Sequence, residues 1–209
     1  MSGPRVRKTR DERREQILSC ASKVFREHPY EQVSSGDLAA AAGVSRGLLN
    51  HYFGTKRELY LAVVGRMLES PGIHVPSYVA GASVRDRVAE SVTMWLDLLE
   101  RSSSTWLAVL DRASSGGDAE MRRLLEDARE GVIERLTEVI GLASAAADHP
   151  EIKGALGAFS GFAEAASREW LRHGRLSRPQ IHQLLESALF NLIEVAIPQL
   201  LAPAAVTAP

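Results

Sequence analysis

Five segments of one form punctuate the sequence: Thr9-Arg-Asp-Glu12, Ser34-Ser-Gly-Asp37, Thr55-Lys-Arg-Glu58, Ser83-Val-Arg-Asp86 and Ser177-Arg-Pro-Gln180. In each, a hydroxyl can accept from the backbone N–H three residues on, while the later side chain reaches back to the first residue's N–H. Such a box pairs donors that a helix start otherwise leaves unsatisfied, so the five boxes commit the chain to helices at set places. Apolar residues then recur with the helical period. Ile17, Cys20, Ala21, Val24 and Phe25 share a face of a helix near 9–28; Leu59, Val63 and Met67 share one near 55–70, ended by Ser70-Pro71-Gly72. Further helices fall near 83–101, 104–113, 118–141, 150–173 and 177–200. Gly116-Gly117, the loop around Asp148-His149-Pro150, and Gly174 separate the later ones. No run alternates with period two over a useful length, so the expected fold is all-α with about nine helices.

Composition narrows the class. The 209 residues are 45% apolar and 24% charged with a net charge of −1, which excludes disorder as the dominant state. A chain of this length buries roughly 70% of its unfolded surface, as one large domain or two small ones. The first fourteen residues are basic without an apolar run, against a secretion signal. Cys20 is the only cysteine, which excludes an intrachain disulfide and a four-cysteine zinc site. The most apolar stretch, 188–206, is interrupted by Asn191, Glu194, Pro198 and Gln199 and makes a poor membrane span. A cytoplasmic protein without membrane contact is expected. Charge is divided unevenly: residues 1–66 hold twelve Lys and Arg against seven Asp and Glu, the rest thirteen against nineteen. A basic head on an acidic body suits a polyanion-binding module joined to a body with another task. The division expected is a flexible arm at 1–8, a head at 9–54, a helical body at 55–200 joined to it by the helix 55–70, and a disordered tail at 201–209.

The segment Ser34 to Phe53 carries the most specific signal. It reads as a helix of two turns, a tight turn at Gly43, and a second short helix capped by Ser45. Val33 with Leu38, and Val44 with Leu49, have hydrophobic-staple spacing at the two caps. Ala39 to Ala42 are small enough for another helix to cross closely, and Gly43 supplies the left-handed turn. This is the construction of a helix-turn-helix, whose second helix enters the DNA major groove. That second helix exposes Arg46, Asn50 and His51 and no acid. Lys56 follows within reach of a phosphate, and Arg5, Arg7, Lys8 and Arg10 precede the whole. An αα-hairpin that merely packs is the plainer alternative.

The residues Arg14-Glu-Gln-Ile-Leu-Ser-Cys-Ala-Ser-Lys-Val-Phe25, Pro29-Tyr30, Leu38-Ala, Ala41-Ala-Gly-Val-Ser45, Gly47, Leu49, His51-Tyr-Phe53 and Lys56-Arg-Glu-Leu59 resemble the N-terminal domain of the tetracycline-repressor-like (TetR) regulators over about residues 9–60. The resemblance implies that Ser34, Ser45, Arg46, Gly47, Leu48, Asn50, His51, Tyr52 and Lys56 face double-stranded DNA, with Ser35 beside them. It also implies a homodimer on a palindromic operator and a small-molecule effector. Leu48 stands where the family often has a small hydroxyl residue, Asn50 where it often has tyrosine, and Ser35 and Gly36 where it has larger residues. The resemblance therefore carries over no operator sequence. Asn50 and Arg46 lie one turn apart and suit adenine and guanine, whereas the family's tyrosine contacts phosphate, so both roles stay open for Asn50.

Other chemistry is weaker. Gly43-Val-Ser45-Arg-Gly47 has the form G-x-S-x-G, but a nucleophile elbow needs a preceding strand. The six histidines lack metal-ligand spacing, so neither metal nor cofactor is expected, and no enzyme. Met94, Trp95, Leu98, Trp106, Leu110 and Met121, with Phe159 and Phe162, are candidate pocket residues or plain core; Asp97, Asp111 and Arg112 could add polar contacts. For association, Ile152, Leu156, Phe159, Ala163, Ala166 and Trp170 form a seam accompanied by Gly154, Gly157 and Gly161, and the last helix is apolar over too wide an arc for one-sided burial. Leu156, Gly157, Gly161, Ala188, Leu192 and Ala196 are the expected dimer contacts. The favoured reading is an effector-released repressor. A small-molecule-binding protein or enzyme with an incidental basic head, and an architectural DNA binder without effector, remain as alternatives.

Overall fold

The computed structural model describes residues 9–69, 83–114 and 118–202. Within them the elements are α1 (Arg10–Glu27), a single 3-10 turn (Tyr30–Gln32), α2 (Ser35–Ala41), α3 (Arg46–Phe53), α4 (Lys56–Leu68), α5 (Val84–Arg101), α6 (Ser103–Ser114), α7 (Ala119–Val139), α8 (Ala143–Asp148), α9 (Pro150–Leu171), α10 (Arg178–Asn191) and α11 (Ile197–Leu201). All five capping boxes form: Thr9 with Glu12, Ser34 with Asp37, Thr55 with Glu58, Ser83 with Asp86 and Ser177 with Gln180. The basic arm up to Lys8, the Ser70-Pro71-Gly72 break, Gly116-Gly117 and the tail beyond Ala202 lie outside the described residues.

Two features depart from the sequence reading. A short helix, α8, stands where a loop was expected. Gly141, at φ 80°, turns the chain after α7, and the alanine-rich run that follows has the highest helix propensity available. The last helix is also not uniform. Leu192–Ala196 form a π turn, with the Ile197 N–H donating five residues back to Leu192. Pro198 has no N–H to give Glu194, and its ring crowds that carbonyl, so the backbone widens ahead of it.

The core falls into two clusters. One gathers Ile17, Phe25, Leu38, Leu49, Leu59 and Val64 from α1–α4 with Trp106, Leu110, Met121 and Leu125 from α6 and α7. The other gathers Val92 and Leu96 of α5, Leu136 and Ile140 at the end of α7, Ile152 and Leu156 of α9, and Ile181, Leu185, Leu189 and Ile197 of the last helix. Trp95 and Trp170 pack against both. The first apolar cluster therefore runs across the expected boundary near residue 54.

Polar ties reinforce the junction. The Thr105 hydroxyl donates to the Phe25 carbonyl at 3.3 Å, and Ser104 to that of Arg26 at 2.9 Å. Arg112 pairs with Glu31 and lies over the Tyr30 ring, 4.6 Å from its centroid. Arg57 at the start of α4 binds Asp118 at 2.7 Å and Glu120 at 2.6 Å, at the start of α7. Residues 178–201 are long and apolar enough to span a bilayer. Ile181, Leu185, Leu189, Ile193 and Ile197 along that stretch are nevertheless buried within the second cluster.

Candidate nucleic-acid interface

Ser34 starts α2 by accepting from the Asp37 N–H, and Asp37 accepts from the Ser34 N–H in return. Those bonds hold the Asp37 carboxyl below its usual range. Val33 and Leu38 are both buried beneath this start. Gly43, at φ 63°, ends α2: its N–H donates to Ala40 and that of Val44 to Ala39, both at 3.0 Å. That pair of bonds is a Schellman turn, which needs the left-handed conformation glycine adopts without strain. Gln16 of α1 locks the turn from below by donating its amide to the Ala42 carbonyl at 2.8 Å. Sequence reasoning missed Gln16, because its partner lies 26 residues away.

Ser45 then caps α3 through the Leu48 N–H at 3.1 Å. Leu49 and Phe53 are buried on the inner side of α3, and Arg14 stacks over the Phe53 ring at 5.0 Å. Arg46, Gly47, Leu48, Asn50 and His51 are all exposed, with Tyr52 half-buried beside His51. Ser34 and Ser45 are exposed and Ser35 half-buried. The expected DNA-facing residues on α2 and α3 are thus exposed or half-buried, and α3 carries no acid. Ser45 is a cap between two helices, not a nucleophile on a strand-to-helix turn.

Lys56 is engaged within the chain. Its ammonium donates to the carbonyls of Tyr30 and Val33, both at 2.9 Å, and sits 3.9 Å from the centre of the Tyr30 ring. It therefore ties α4 to the segment leading into α2 instead of standing free for a phosphate. Glu58, beside it, is held below its usual range by its bonds to Thr55.

In the body, an apolar cavity of about 130 Å³ lies between the two clusters. Leu68, Trp106 and Leu125 wall it from the first cluster; Val92, Leu136, Leu156, Leu185 and Leu189 wall it from the second. Trp95, Phe159 and the ion pair Arg129–Glu164 complete its distinctive lining. Of the eight expected pocket residues, Trp95, Trp106 and Phe159 are there. The other five do not line it. Leu110 and Met121 are core of the first cluster, and Leu98 faces a separate polar cleft between α1, α4 and α5. Met94 does not line the cavity, and Phe162 is 41% exposed. Asp111 and Asp97 pair with Arg172 and Arg178. Among the described residues, no three His, Cys, Asp or Glu side chains gather where a metal ion could sit.

The expected association surface divides in two. Ile152, Leu156, Ala163 and Ala166 are buried within the chain, so Leu156 is corrected from dimer contact to cavity wall. Gly157 lies half-buried against Ile133. The outward side of α9 instead carries Gly154 and Gly161, each facing open space, and Phe162. Leu184, Val195 and Leu200 are exposed on the last helix, with Ala188, Leu192 and Ala196 half-buried near them.

An all-helical chain in which a braced helix-turn-helix precedes a body with its own cavity belongs to the class of helix-turn-helix regulators. The model for bacterial regulatory proteins of the tetR family matches residues 17–63, and that for the tetracyclin repressor-like C-terminal domain matches residues 84–192. The chain belongs to the tetracycline-repressor-like (TetR) family. It is 36% identical over 102 residues to the HTH-type transcriptional activator FasR of Mycolicibacterium smegmatis, covering 45% of this chain and 43% of that one. It is 44% identical over 50 residues to the HTH-type transcriptional repressor AcnR of Corynebacterium efficiens, covering 24% and 27%. The match thus spans less than half the length of each of these relatives. A tetR-family transcriptional regulator from Streptomyces coelicolor shares the fold, with a TM-score of 0.73 at 19% identity over 88% of this chain and 80% of that one.

Proposed function

We propose that this protein is a homodimeric, sequence-specific DNA-binding transcription regulator, a repressor that leaves its operator when a small molecule fills the cavity. One observation carries the reading: α3 buries Leu49 and Phe53 and turns Arg46, Gly47, Leu48, Asn50 and His51 outward from a turn braced by Gln16. That side fits the major groove, with Asn50 and Arg46 reading base edges and Ser34, Ser35, Ser45 and Tyr52 near the backbone. Family membership supports the same reading, and the curated relatives include both an activator and a repressor. The role is binding, not catalysis, in the cytoplasm, without cofactor or membrane contact.

Dimerisation through α9 and the last helix accounts for the outward stripe. A glycine inside a helix costs about 1 kcal/mol relative to alanine. Gly154 and Gly161 face open space in the single chain, so a second copy crossing there would recover that cost by close approach. Phe162, Leu184 and Val195 would be covered in the same contact. Two copies related by a two-fold axis present two α3 helices to a palindromic operator.

The cavity supplies the control. α7 runs from the Arg57 clamp on α4 to the cavity wall at Arg129 and Leu136. A ligand that binds better to one separation of the clusters shifts α4, and with it the spacing of the two α3 helices. Selection of bound sequences from random DNA tests the proposal. An inverted repeat is the expected product; no enrichment over input sequences would sink it.

A further inference from the structure

Among the described residues, Arg129 and Glu164 are the only charged groups that line the cavity. The guanidinium grips the carboxylate at two points, Nε to Oε1 and Nη2 to Oε2, each at 2.6 Å. Their burial is unequal: the Arg129 side chain is 36% exposed and that of Glu164 only 11%. The turn carrying Glu164 is also fixed, because Trp106 donates its indole N–H to Ser167, whose hydroxyl donates to the Glu164 carbonyl.

This asymmetry selects the charge of a ligand. A buried carboxylate that loses its partner is strongly destabilising, whereas a long arginine side chain can carry its head out to water. Glu126, exposed on α7 three residues before Arg129, offers that head a second carboxylate. An anion taking Arg129 would leave Glu164 unpaired in an apolar wall or add a second negative charge beside it. A cation taking Arg129's place keeps Glu164 paired. Trp95, Trp106 and Phe159 line the same space, and aromatic faces attract an ammonium within about 6 Å. The volume, about 130 Å³, is close to that of cavities known to admit a single benzene ring.

We propose that the effector is a small organic cation, an ammonium or amidinium on an aromatic or branched apolar body, which displaces Arg129 from Glu164. The proposal rests on the reading of the cavity as the effector site. Releasing Arg129 removes the ion pair between α7 and α9, and α7 is the helix clamped to α4.

The test is calorimetric titration of the full chain with three probes of similar body: benzylammonium, phenylacetate and benzyl alcohol, with indole emission as a second readout. The cation should bind tightest. Glu164→Gln should abolish the cation's advantage over the alcohol, read as the ratio of the two affinities in the same variant. Arg129→Met removes the internal competitor and should strengthen the cation about tenfold, as expected if the vacated carboxylate is a minor state. It should also make the cation raise that variant's unfolding temperature more than it raises the unmodified protein's. Should Arg129→Met fold poorly, the double variant Glu164→Gln with Arg129→Met removes the stranded charge and should show no preference for the cation over the alcohol. Phenylacetate binding tightest, or the cation binding no better than the alcohol, would overturn the proposed charge and leave the effector site standing. No binding by any probe, with unchanged indole emission, would overturn the effector site and this proposal together.

Discussion

The two apolar clusters meet at Trp95 and Trp170 but are held by different means. Around α1–α4, three capping boxes, a Schellman turn and two glycine-ended helices fix short helices through bonds between near neighbours in sequence. Around α5–α10, long helices are held by packing between distant segments, and the packing leaves a cavity. A module that must present one face to DNA gains from rigidity built into every turn. A module that must respond to a ligand needs a place where contacts are missing.

Truncations inside each cluster should separate the two most strongly. Leu49→Ala removes a fully enclosed side chain, and Leu156→Ala one that already borders empty space. Such changes cost about 2–5 kcal/mol. Leu49→Ala should fall toward the upper end and Leu156→Ala toward the lower, measured by urea unfolding. Equal losses would mean that the cavity does not loosen the body.

Lys56→Ala should come next, because it leaves two carbonyls without a charged donor. A loss of about 2 kcal/mol is expected for such bonds, with DNA affinity falling in proportion to the weakened head. If stability is unchanged while the salt dependence of DNA binding drops by about one phosphate, Lys56 serves DNA after all. Ser45→Ala removes one cap and should cost about 1 kcal/mol. Arg57→Ala breaks exposed pairs, each worth at most about 1 kcal/mol. Its stability should barely change while ligand-induced release of DNA weakens, which separates transmission from folding.

Acid gives the smallest effect. Hydrogen bonds to Ser34, Thr55 and Ser83 hold Asp37, Glu58 and Asp86 below their ordinary values of 3.8, 4.5 and 3.8. A carboxyl with a lowered folded pKa contributes stability that is present above its unfolded value and lost as pH falls through the folded one. Thermal stability should therefore fall only as pH drops toward and below about 4, where carboxyls of this kind take up protons.

How much was legible follows the same division. Caps and the Gly43 turn are local chemistry, so all five boxes and both short helices could be placed from residues three or four apart. Lys56 could not be read, because the carbonyls of Tyr30 and Val33 that claim it lie 26 and 23 residues away. The cavity was half legible. Helical periodicity marks Leu110, Met121 and Trp106 alike as inward, and only the assembled helices decide which of them lacks a neighbour. The Arg129–Glu164 pair spans two helices and leaves no local pattern. Leu156 and Gly161 share one helix, but which side faces the chain's own core depends on where α7 and α10 pack.

The claim that the outward side of α3 reads DNA is tested most directly on the sequence recovered by selection. Affinities for every single-base variant of it should be measured with the unmodified protein and with Asn50→Ala and Arg46→Ala. Each variant protein should lose its preference at one base pair in each half-site, by about 1–3 kcal/mol, while preferences elsewhere persist. A uniform loss across all variants would assign both side chains to the phosphate backbone and contradict base reading by α3.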